Sequence, residues 1–235
     1  MPVYQLSEAH VFPSPHLAAK EGLLAVGGDL TQARLLLAYS LGIFPWFSEG
    51  EPILWWSPDP RLVLYPDELK ISKSLSKIIK KEVFRVTVDS AFEQVIHDCA
   101  RVRLENGERT WIVDDMVKAY CRLHESGFAH SIEAWEGDYL AGGLYGVSLG
   151  RSFFGESMFT RVSNASKVAF VTLVEYLRRL DFSMIDCQIP TGHLIRFGAR
   201  EISRTRYLKE LGESLLSPTL KGKWSFESRA SFSPV

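Results

Sequence analysis

Residues 183–190, SMIDCQIP, carry two polar side chains at the end of an apolar, strand-like segment. Asp186 and Gln188 are two residues apart, and this spacing directs both side chains to one face of a strand. A Gln carbonyl can accept a hydrogen bond from an amine, and a neighbouring carboxylate can hold the amide in one orientation. The pair therefore suits a site that positions an amine and steers its proton. The alternative is structural: an Asp that caps the next helix, followed by a Gln at a strand end.

A second carboxylate, Glu156, lies inside the apolar strand FFGESMF. One interpretation is a structural ion pair with Arg151 or Arg161. The other is a charge-assisted hydrogen bond to a cationic group of a substrate. The sequence alone leaves both open.

Two tryptophans are candidates for contact with a ligand. Trp46 lies in a loop rich in proline and aromatic residues, and Trp111 follows the polar segment ENGERT. Most tryptophans belong to a hydrophobic core, and that remains one interpretation. An aromatic face in a loop can also stack a nucleotide base, a contact worth about 1–3 kcal/mol.

The segment LKISKSLSKIIKK predicts a helix with one basic face. Its lysines recur at steps of three and four: Lys73, Lys77, Lys80 and Lys81. A solvated surface helix is the usual meaning of such a pattern, but this face carries one sign of charge without interleaved acids. A stripe of this kind suits contacts with RNA phosphates, which add affinity without sequence information.

Composition narrows the class of protein. The chain has 235 residues and a formal net charge of -1, so any nucleic-acid binding must come from a local patch. The three cysteines are far apart, as expected for reduced thiols rather than disulfides or a metal site. The N-terminus has no signal-peptide pattern and no apolar run is long enough to span a membrane. We expect a cytoplasmic monomer that has no membrane partner.

The order of predicted elements indicates an α+β fold. Residues 1–60 are rich in turn formers and aromatics, and we interpret them as a small N-terminal domain with one helix at Leu30–Leu41. Thr31 is the expected cap of this helix, and Gly42 is its expected stop.

Residues 61–235 alternate strands and helices, with one helix at Ala91–Ala100. They then form a three-stranded antiparallel meander, a helix and a returning strand. The helix after the meander has one apolar stripe: Phe170, Leu173, Val174 and Leu177. This pattern predicts an acyltransferase-like layer with a central mixed, largely antiparallel sheet flanked by helices.

The chain resembles the leucyl/phenylalanyl-tRNA–protein transferases. The resemblance rests on motifs that occur in the family's order over nearly the whole chain: GLLAVGGDL, YSLGIFPWF, PILWWSPDPR, TWI, AHSIE, GGLYGV, FFGESMF, NASK, DCQ and FGA. It implies a small N-terminal domain followed by a GNAT-like domain. It also implies transfer of Leu or Phe, with Met also considered, from aminoacyl-tRNA to the N-terminal Arg or Lys of a protein, which marks that protein for degradation. No cofactor is expected, because the aminoacyl ester is already activated.

The resemblance also implies roles for individual residues. Asp186 and Gln188 are the catalytic pair, and Glu156 receives the cationic N-terminal residue of the acceptor. Trp46 and Trp111, joined by Phe153, would stack the terminal adenine of the tRNA. An apolar pocket should hold the aminoacyl side chain, and its residues are Leu144, Met158, Phe170 and Leu173. The lysine stripe should contact the tRNA.

Two other functions are compatible with parts of this pattern. An acetyl-CoA-dependent N-acetyltransferase would need a glycine-rich loop at the helix after the meander to hold the pyrophosphate. Here no glycine occurs between Gly155 and Gly192. A non-catalytic tRNA-binding module would need the lysines but not the Asp186–Gln188 pair. The six histidines show no metal-ligand spacing, so a metal site is not expected.

Overall fold

The computed structural model describes residues 3–107 and 109–226. Its first part is a small four-stranded sheet with one helix. The strands are β1 (Tyr4–Leu6), β2 (Leu23–Gly27), β3 (Phe44–Pro45) and β4 (Leu54–Trp56), in the order β1-β2-β4-β3. Helix α1 (Gln32–Ser40) begins after Thr31, whose hydroxyl accepts a hydrogen bond from the Arg34 amide. Gly42 follows the helix with φ 70, a left-handed conformation that favours glycine at a helix end. The predicted cap and stop of this helix are confirmed.

The second part is built on a seven-stranded sheet. Its strands are β5 (Arg61–Leu64), β6 (Arg85–Val88), β7 (Ala129–Glu136), β8 (Tyr139–Leu149), β9 (Ser152–Thr160), β10 (Met184–Gln188) and β11 (Arg200–Ile202). The order across the sheet is β11-β5-β10-β9-β8-β7-β6. Within this sheet β9 and β10 pair in parallel, while the other neighbours are antiparallel. The structure is thus the predicted α+β fold, with a largely antiparallel mixed sheet.

Helices cover both faces of this sheet. They are α2 (Lys73–Lys80), α3 (Phe92–Glu105), α4 (Asp114–Glu125), α5 (Ala165–Arg179), α6 (Gly192–Arg196) and α7 (Arg204–Ser214). One face packs against α3 and α4, and the other packs against α5, which in turn contacts α2. The predicted apolar stripe of α5 is buried: Phe170, Leu173, Val174 and Leu177. Within the described residues, none of the helices is both long and apolar enough to cross a membrane.

Strands β9 and β10 separate at their carboxyl ends. They pair from Met184 and Ser152 to Asp186 and Phe154, and beyond that point β9 continues without β10 beside it. Helix α5 connects the two strands and makes the crossover that a parallel pair requires. The separation opens the sheet between two neighbouring strands, and the carboxyl ends of strands joined in this way are common places for ligands.

The small sheet shares its hydrophobic core with the larger one. Leu24 and Trp55 of the first part belong to the same buried cluster as Tyr120 of α4 and Tyr207 of α7. Each of these side chains is almost completely buried. The division into domains at residues 60 and 61 stays a prediction, since a common core joins the two parts.

The predicted elements differ from the observed ones mainly in length and at the C-terminus. The helix predicted at Ala91–Ala100 runs on to Glu105. Helix α7 was not predicted, although Ser203 caps it by accepting a hydrogen bond from the Arg206 amide. The segment RTRYLKELGES is mostly polar, so its few apolar residues form no clear helical stripe.

Candidate active site

A cavity of about 520 Å³ occupies the opening between β9 and β10. Residues 155–160 of β9 form one wall, and residues 187–189 of β10 form the opposite one. Residues 44–46, from the small sheet, close a third side. The cavity therefore depends on both parts of the chain, and it lies where the fold interrupts the sheet.

Gln188 enters this cavity from a β-bulge. The register of β10 against β5 shifts between Asp186 and Gln188, and Gln188 has φ 63, a left-handed conformation that is uncommon for a side chain other than glycine. The carboxamide Nε2 donates a hydrogen bond of 3.0 Å to Oε1 of Glu156 across the opening. Because a carboxylate only accepts, the carboxamide must turn its NH2 group towards Glu156 and its oxygen away from it. Within the described residues no protein donor contacts that oxygen, so it is available to a substrate amine.

Asp186 does not contact the Gln188 carboxamide, which corrects the predicted arrangement of the pair. Its Oδ1 instead accepts a hydrogen bond of 2.9 Å from the backbone N–H of Gln188. The side chain is fully buried and does not line the cavity. Asp186 thus stabilises the unusual backbone of Gln188, and the carboxylate that holds the carboxamide is Glu156. The reason is the bulge, which breaks the regular alternation on which the prediction relied.

Arg61 and Tyr207 surround the Asp186 carboxylate. Arg61 of β5 donates from Nε to Oδ1 at 2.8 Å and from Nη2 to Oδ2 at 2.6 Å. Tyr207 of α7 donates its hydroxyl to Oδ2 at 2.7 Å. The guanidinium also lies over the rings of Phe44 and Tyr207, with its Cζ 4.8 and 4.6 Å from their centroids. Such a buried pair is costly to break, because removing one partner leaves a buried charge without compensation.

Glu156 is held by two tyrosines from different helices. Tyr39 of α1 donates to Oε1 at 2.7 Å, and Tyr120 of α4 donates to Oε2 at 3.0 Å. The two hydroxyls also contact each other. Burial raises the pKa of Glu156 to about 7; hydrogen bonds from both tyrosines and from Gln188 oppose this rise, and the charge of Asp186 adds to it.

The structural ion pair considered for Glu156 does not form. Arg151 donates from Nη1 to the Leu180 carbonyl at 2.8 Å. Arg161 pairs with Asp98 and Glu105 of α3. Among the described residues, no Lys, Arg or His lies within ion-pair distance of Glu156. A half-buried carboxyl with raised pKa in a cavity is typical of a functional group.

An apolar lobe of the cavity contains the predicted pocket residues. Leu144, Met158, Phe170 and Leu173 all line it, and Phe153 forms part of the same wall. All of them except Met158 are buried, so the hydrophobic core holds the side chains of this lobe in place. The structure thus brings together five residues from β8, β9 and α5. The contact of Leu144, Met158, Phe170 and Leu173 with an aminoacyl side chain stays a prediction, and so does the stacking of the terminal adenine by Phe153.

The two tryptophans lie at the rim. Trp46 lines the cavity and is 40% exposed, and its ring centroid is 5.7 Å from that of Trp56. Trp111 is half-buried and lines the cavity as well. An exposed indole beside a cavity is available for stacking, whereas a core tryptophan would be buried on both faces.

The lysine stripe lies outside the cavity. Helix α2 buries Leu75 and leaves Lys73, Lys77, Lys80 and Lys81 exposed, as predicted. It contacts α5, whose first two turns contribute Lys167 and Phe170 to the cavity wall. The stripe is therefore next to the helix that borders the site, and its role in binding RNA stays a prediction.

Four functional side chains escaped the sequence analysis. They hold the two carboxylates: Tyr39 and Tyr120 on Glu156, Arg61 and Tyr207 on Asp186. A weak signal was present, since a buried tyrosine hydroxyl requires a partner and an arginine at the start of an apolar strand requires a counter-charge. Each carboxylate and its partner are up to 125 residues apart in sequence, so local patterns cannot pair them.

His130 and His124 have structural contacts. His130 forms a hydrogen bond of 2.9 Å between its Nδ1 and Asp89, and its ring stacks on Trp224. The ring of His124 stacks on Phe92. In residues 3–107 and 109–226 no group of three His, Cys, Asp or Glu side chains is suited to holding a metal ion.

Comparison with known proteins identifies the family. The family model described as leucyl/phenylalanyl-tRNA protein transferase matches residues 63–212, and the one for the N-terminal domain of that enzyme matches residues 28–59. A leucyl/phenylalanyl-tRNA–protein transferase of Desulfatibacillum aliphaticivorans is 60% identical over 228 residues, which are 97% of this chain and 98% of that protein. The enzyme of the same name from Desulforapulum autotrophicum is 54% identical over 96% of this chain and 99% of its own length.

Among solved structures, the L-PGS of Bacillus licheniformis matches 72% of this chain with a TM-score of 0.40 and 8% sequence identity. The chain spans about half of that structure, 54% of its length. The sequence relatives, by contrast, match from end to end. This chain belongs to the leucyl/phenylalanyl-tRNA–protein transferase family.

Proposed function

We propose that this protein transfers Leu or Phe from aminoacyl-tRNA to the α-amino group of an N-terminal Arg or Lys of an acceptor protein. The product is a new peptide bond at the acceptor's N-terminus. The names of the relatives support the donor, a leucyl- or phenylalanyl-tRNA, and the acceptor, a protein. Transfer of Met, the preference for Arg and Lys, and the marking of the acceptor for proteolysis belong to the same proposal.

The observation that carries the proposal is the Gln188–Glu156 pair across the opening of the sheet. The Gln188 carboxamide oxygen, which has no donor among the residues that the structure describes, lies in the same cavity as the Glu156 carboxyl, 3.0 Å from the nitrogen of that amide. An amine that donates to the Gln188 oxygen would be positioned beside Glu156. Positioning is the main requirement, because an aminoacyl ester needs no further activation by a cofactor.

Each part of the substrates has a matching region. The apolar lobe around Phe170 suits a Leu or Phe side chain, and Trp46 and Trp111 suit the terminal adenine. The exposed lysines of α2 suit the phosphates of the tRNA. Glu156 suits the cationic N-terminus of the acceptor. Asp186 contributes by fixing the backbone of Gln188.

An in vitro transfer assay tests the proposal. Leu-, Phe- and Met-tRNA are combined with peptides that begin with Lys, Arg or Ala, and peptide-bond formation is followed by labelled product. We expect product with Leu- and Phe-tRNA and with the Lys and Arg peptides. Absence of product with every charged tRNA would overturn the proposal, and product from acetyl-CoA instead would favour an acetyltransferase. The monomeric state, the cytoplasmic location and the lack of a cofactor stay predictions.

A further inference from the structure

Glu156, Tyr39 and Tyr120 form a closed cycle of oxygen contacts. Tyr39 contacts Oε1, Tyr120 contacts Oε2, and the two hydroxyls contact each other. The Gln188 amide occupies the second position on Oε1. The cycle joins α1, α4 and β9, and it borders the cavity through Glu156.

Counting protons shows what this cycle can hold. Three oxygen–oxygen contacts need three protons, but the two tyrosines supply one proton each. With Glu156 ionised, both hydroxyls donate to the carboxylate and no proton remains for the contact between them. With Glu156 protonated, one arrangement satisfies every contact: Oε2–H donates to Tyr120, Tyr120 donates to Tyr39, and Tyr39 donates to Oε1. The geometry thus provides a place for one additional proton.

We propose, on the basis of the transferase function above, that Glu156 accepts the proton that the acceptor's α-ammonium group must lose; Tyr39 and Tyr120 keep the carboxylate ionised near neutral pH by donating to it, and they reorient around the proton once it is bound. Gln188 acts as the positioning residue. Its Nε2 is bonded to Glu156, so an amine on its carboxamide oxygen lies beside the carboxyl. A carboxamide is a poor base, whereas a carboxyl of raised pKa is near the ordinary pKa of about 8 of a terminal amine.

The proposed step balances in atoms and charge. The α-ammonium gives one proton to the Glu156 carboxylate and becomes a neutral amine. The amine lone pair forms the C–N bond to the ester carbonyl carbon, and the C–O bond to the ribose of the terminal adenosine breaks. The amine's second proton goes to the departing ribose oxygen. Glu156 then returns its proton to solvent before the next turnover.

Other ionisable groups around β9 share this environment. They lie on the elements that pack against the strand or border the cavity: Tyr39 of α1, Arg103 of α3, Tyr120 of α4, Tyr145 of β8, Lys167 of α5, Asp186 and Cys187 of β10, and His193 of α6. Burial raises the pKa of Tyr145 well above its ordinary value, and the nearby charge of Glu156 adds to this rise. The tyrosines therefore stay protonated at neutral pH and act as hydrogen-bond donors.

The first test is the pH dependence of transfer by Glu156→Gln. We expect a loss of about 100-fold or more at pH 7, of the size usual for a removed general base. The defect should shrink as the pH rises past about 8, because the acceptor amine then loses its proton to solvent. Single-turnover mixing limits hydrolysis of the ester in alkaline buffer. A defect of equal size at every pH would overturn the proposal, and it would instead suit a carboxylate that only binds the Arg or Lys side chain.

The second test removes single hydroxyls. Tyr39→Phe and Tyr120→Phe each delete one donor to the carboxylate, so the acid limb of the pH profile should move to higher pH by about one unit. Tyr65→Phe is the matched control, because the Tyr65 hydroxyl bonds to Glu210 outside the cavity. The acceptor amine contributes equally to each profile when one peptide is used. Profiles of both variants that coincide with the control would overturn the role of the cycle.

A third measurement is independent of activity. Infrared difference spectra of wild type against Glu156→Gln report the carbonyl band of a protonated carboxyl, and we expect that band to titrate near pH 7. A carboxyl that is ionised at pH 5 would overturn the inference even in an active enzyme. Conversely, a wild-type protein that is inactive but whose carboxyl band titrates near pH 7 would overturn the transferase function and leave the cycle intact. Thermal unfolding of each variant establishes that it is folded.

Discussion

Asp186 bonds to the backbone of Gln188, whereas the Gln188 carboxamide bonds to Glu156. Two carboxylates on the neighbouring strands β9 and β10, those of Glu156 and Asp186, therefore orient the one side chain of Gln188 together. Asp186 fixes the left-handed main chain at φ 63, and Glu156 fixes the rotation of the amide. Buried groups such as Arg61 and Tyr207, although they lie outside the cavity, are consequently part of what positions Gln188.

Substitution of the two residues of this pair should have different consequences. Asp186→Ala is expected to lower the free energy of unfolding by about 3–5 kcal/mol, because Arg61 would remain buried without its counter-charge. Gln188→Ala should leave the unfolding free energy near that of wild type and lower kcat about 100-fold or more. Denaturant unfolding and transfer kinetics measure the two effects, with exposed Gln94→Ala as the control. An Asp186→Ala protein of wild-type stability would contradict the structural role of Asp186.

The stability of the protein should depend on the protonation of Glu156. Burial raises its pKa from 4.5 to about 7, so the folded protein binds this proton more tightly than the unfolded chain does. The stability due to this proton is present below about pH 4.5 and is lost as the pH rises through about 7. We expect a loss of about 2–3 kcal/mol, because the cavity gives solvent partial access to the group.

Denaturant unfolding of wild type and Glu156→Gln at pH 5 and pH 8 isolates this contribution. The difference between the two proteins removes the effects of the other titrating groups. If their unfolding free energies changed in parallel between these pH values, Glu156 would have an ordinary pKa in the folded state.

Trp46 should contribute to donor affinity through its exposed ring. Trp46→Ala is expected to raise the Kd for the charged end of tRNA about 5- to 150-fold, which corresponds to the loss of about 1–3 kcal/mol of stacking. Trp135→Ala serves as a control. Trp135 of β7 lies under the guanidinium of Arg85 of β6, and it does not line the cavity. Binding of a short aminoacylated RNA, measured by fluorescence anisotropy, distinguishes the two. Equal affinity of both variants would rule out stacking on Trp46.

The lysines of α2 should determine how strongly salt weakens tRNA binding. Replacing Lys73 and Lys77 by Ala is expected to reduce the slope of log Kd against log salt by about 0.7–0.9 per lysine. The matched control replaces Lys118 and Lys209, which are equally exposed but pair with Asp115 and Glu213 on their own helices. A salt titration of tRNA affinity gives the slopes. An unchanged slope in the α2 variant would mean that this face is only solvated.

The sequence alone determined most elements of the fold, and it determined the family. The apolar stripe of α5, the meander β7–β9 and the cap of α1 follow from local periodicity and turn residues, which act over a few positions. The long motifs around Trp46, Glu156 and Gln188 were also local, so the resemblance to the family required no structure. For the same reason the cavity residues could be named before their arrangement was known.

Only the tertiary structure decided which residues hold the side chains of Asp186, Glu156 and Gln188. The bulge at Gln188 separates it from the Asp186 carboxylate, and strand pairing with β5 brings Arg61 to Asp186 over 125 residues of sequence. Tyr39, Tyr120 and Tyr207 reach the site from three different helices. The hydrophobic pattern of each helix accounts for its tyrosine as a core residue only. Hydrogen bonds between distant segments depend on how the sheets and helices pack together. The spacing of residues along the chain does not specify which segments come into contact.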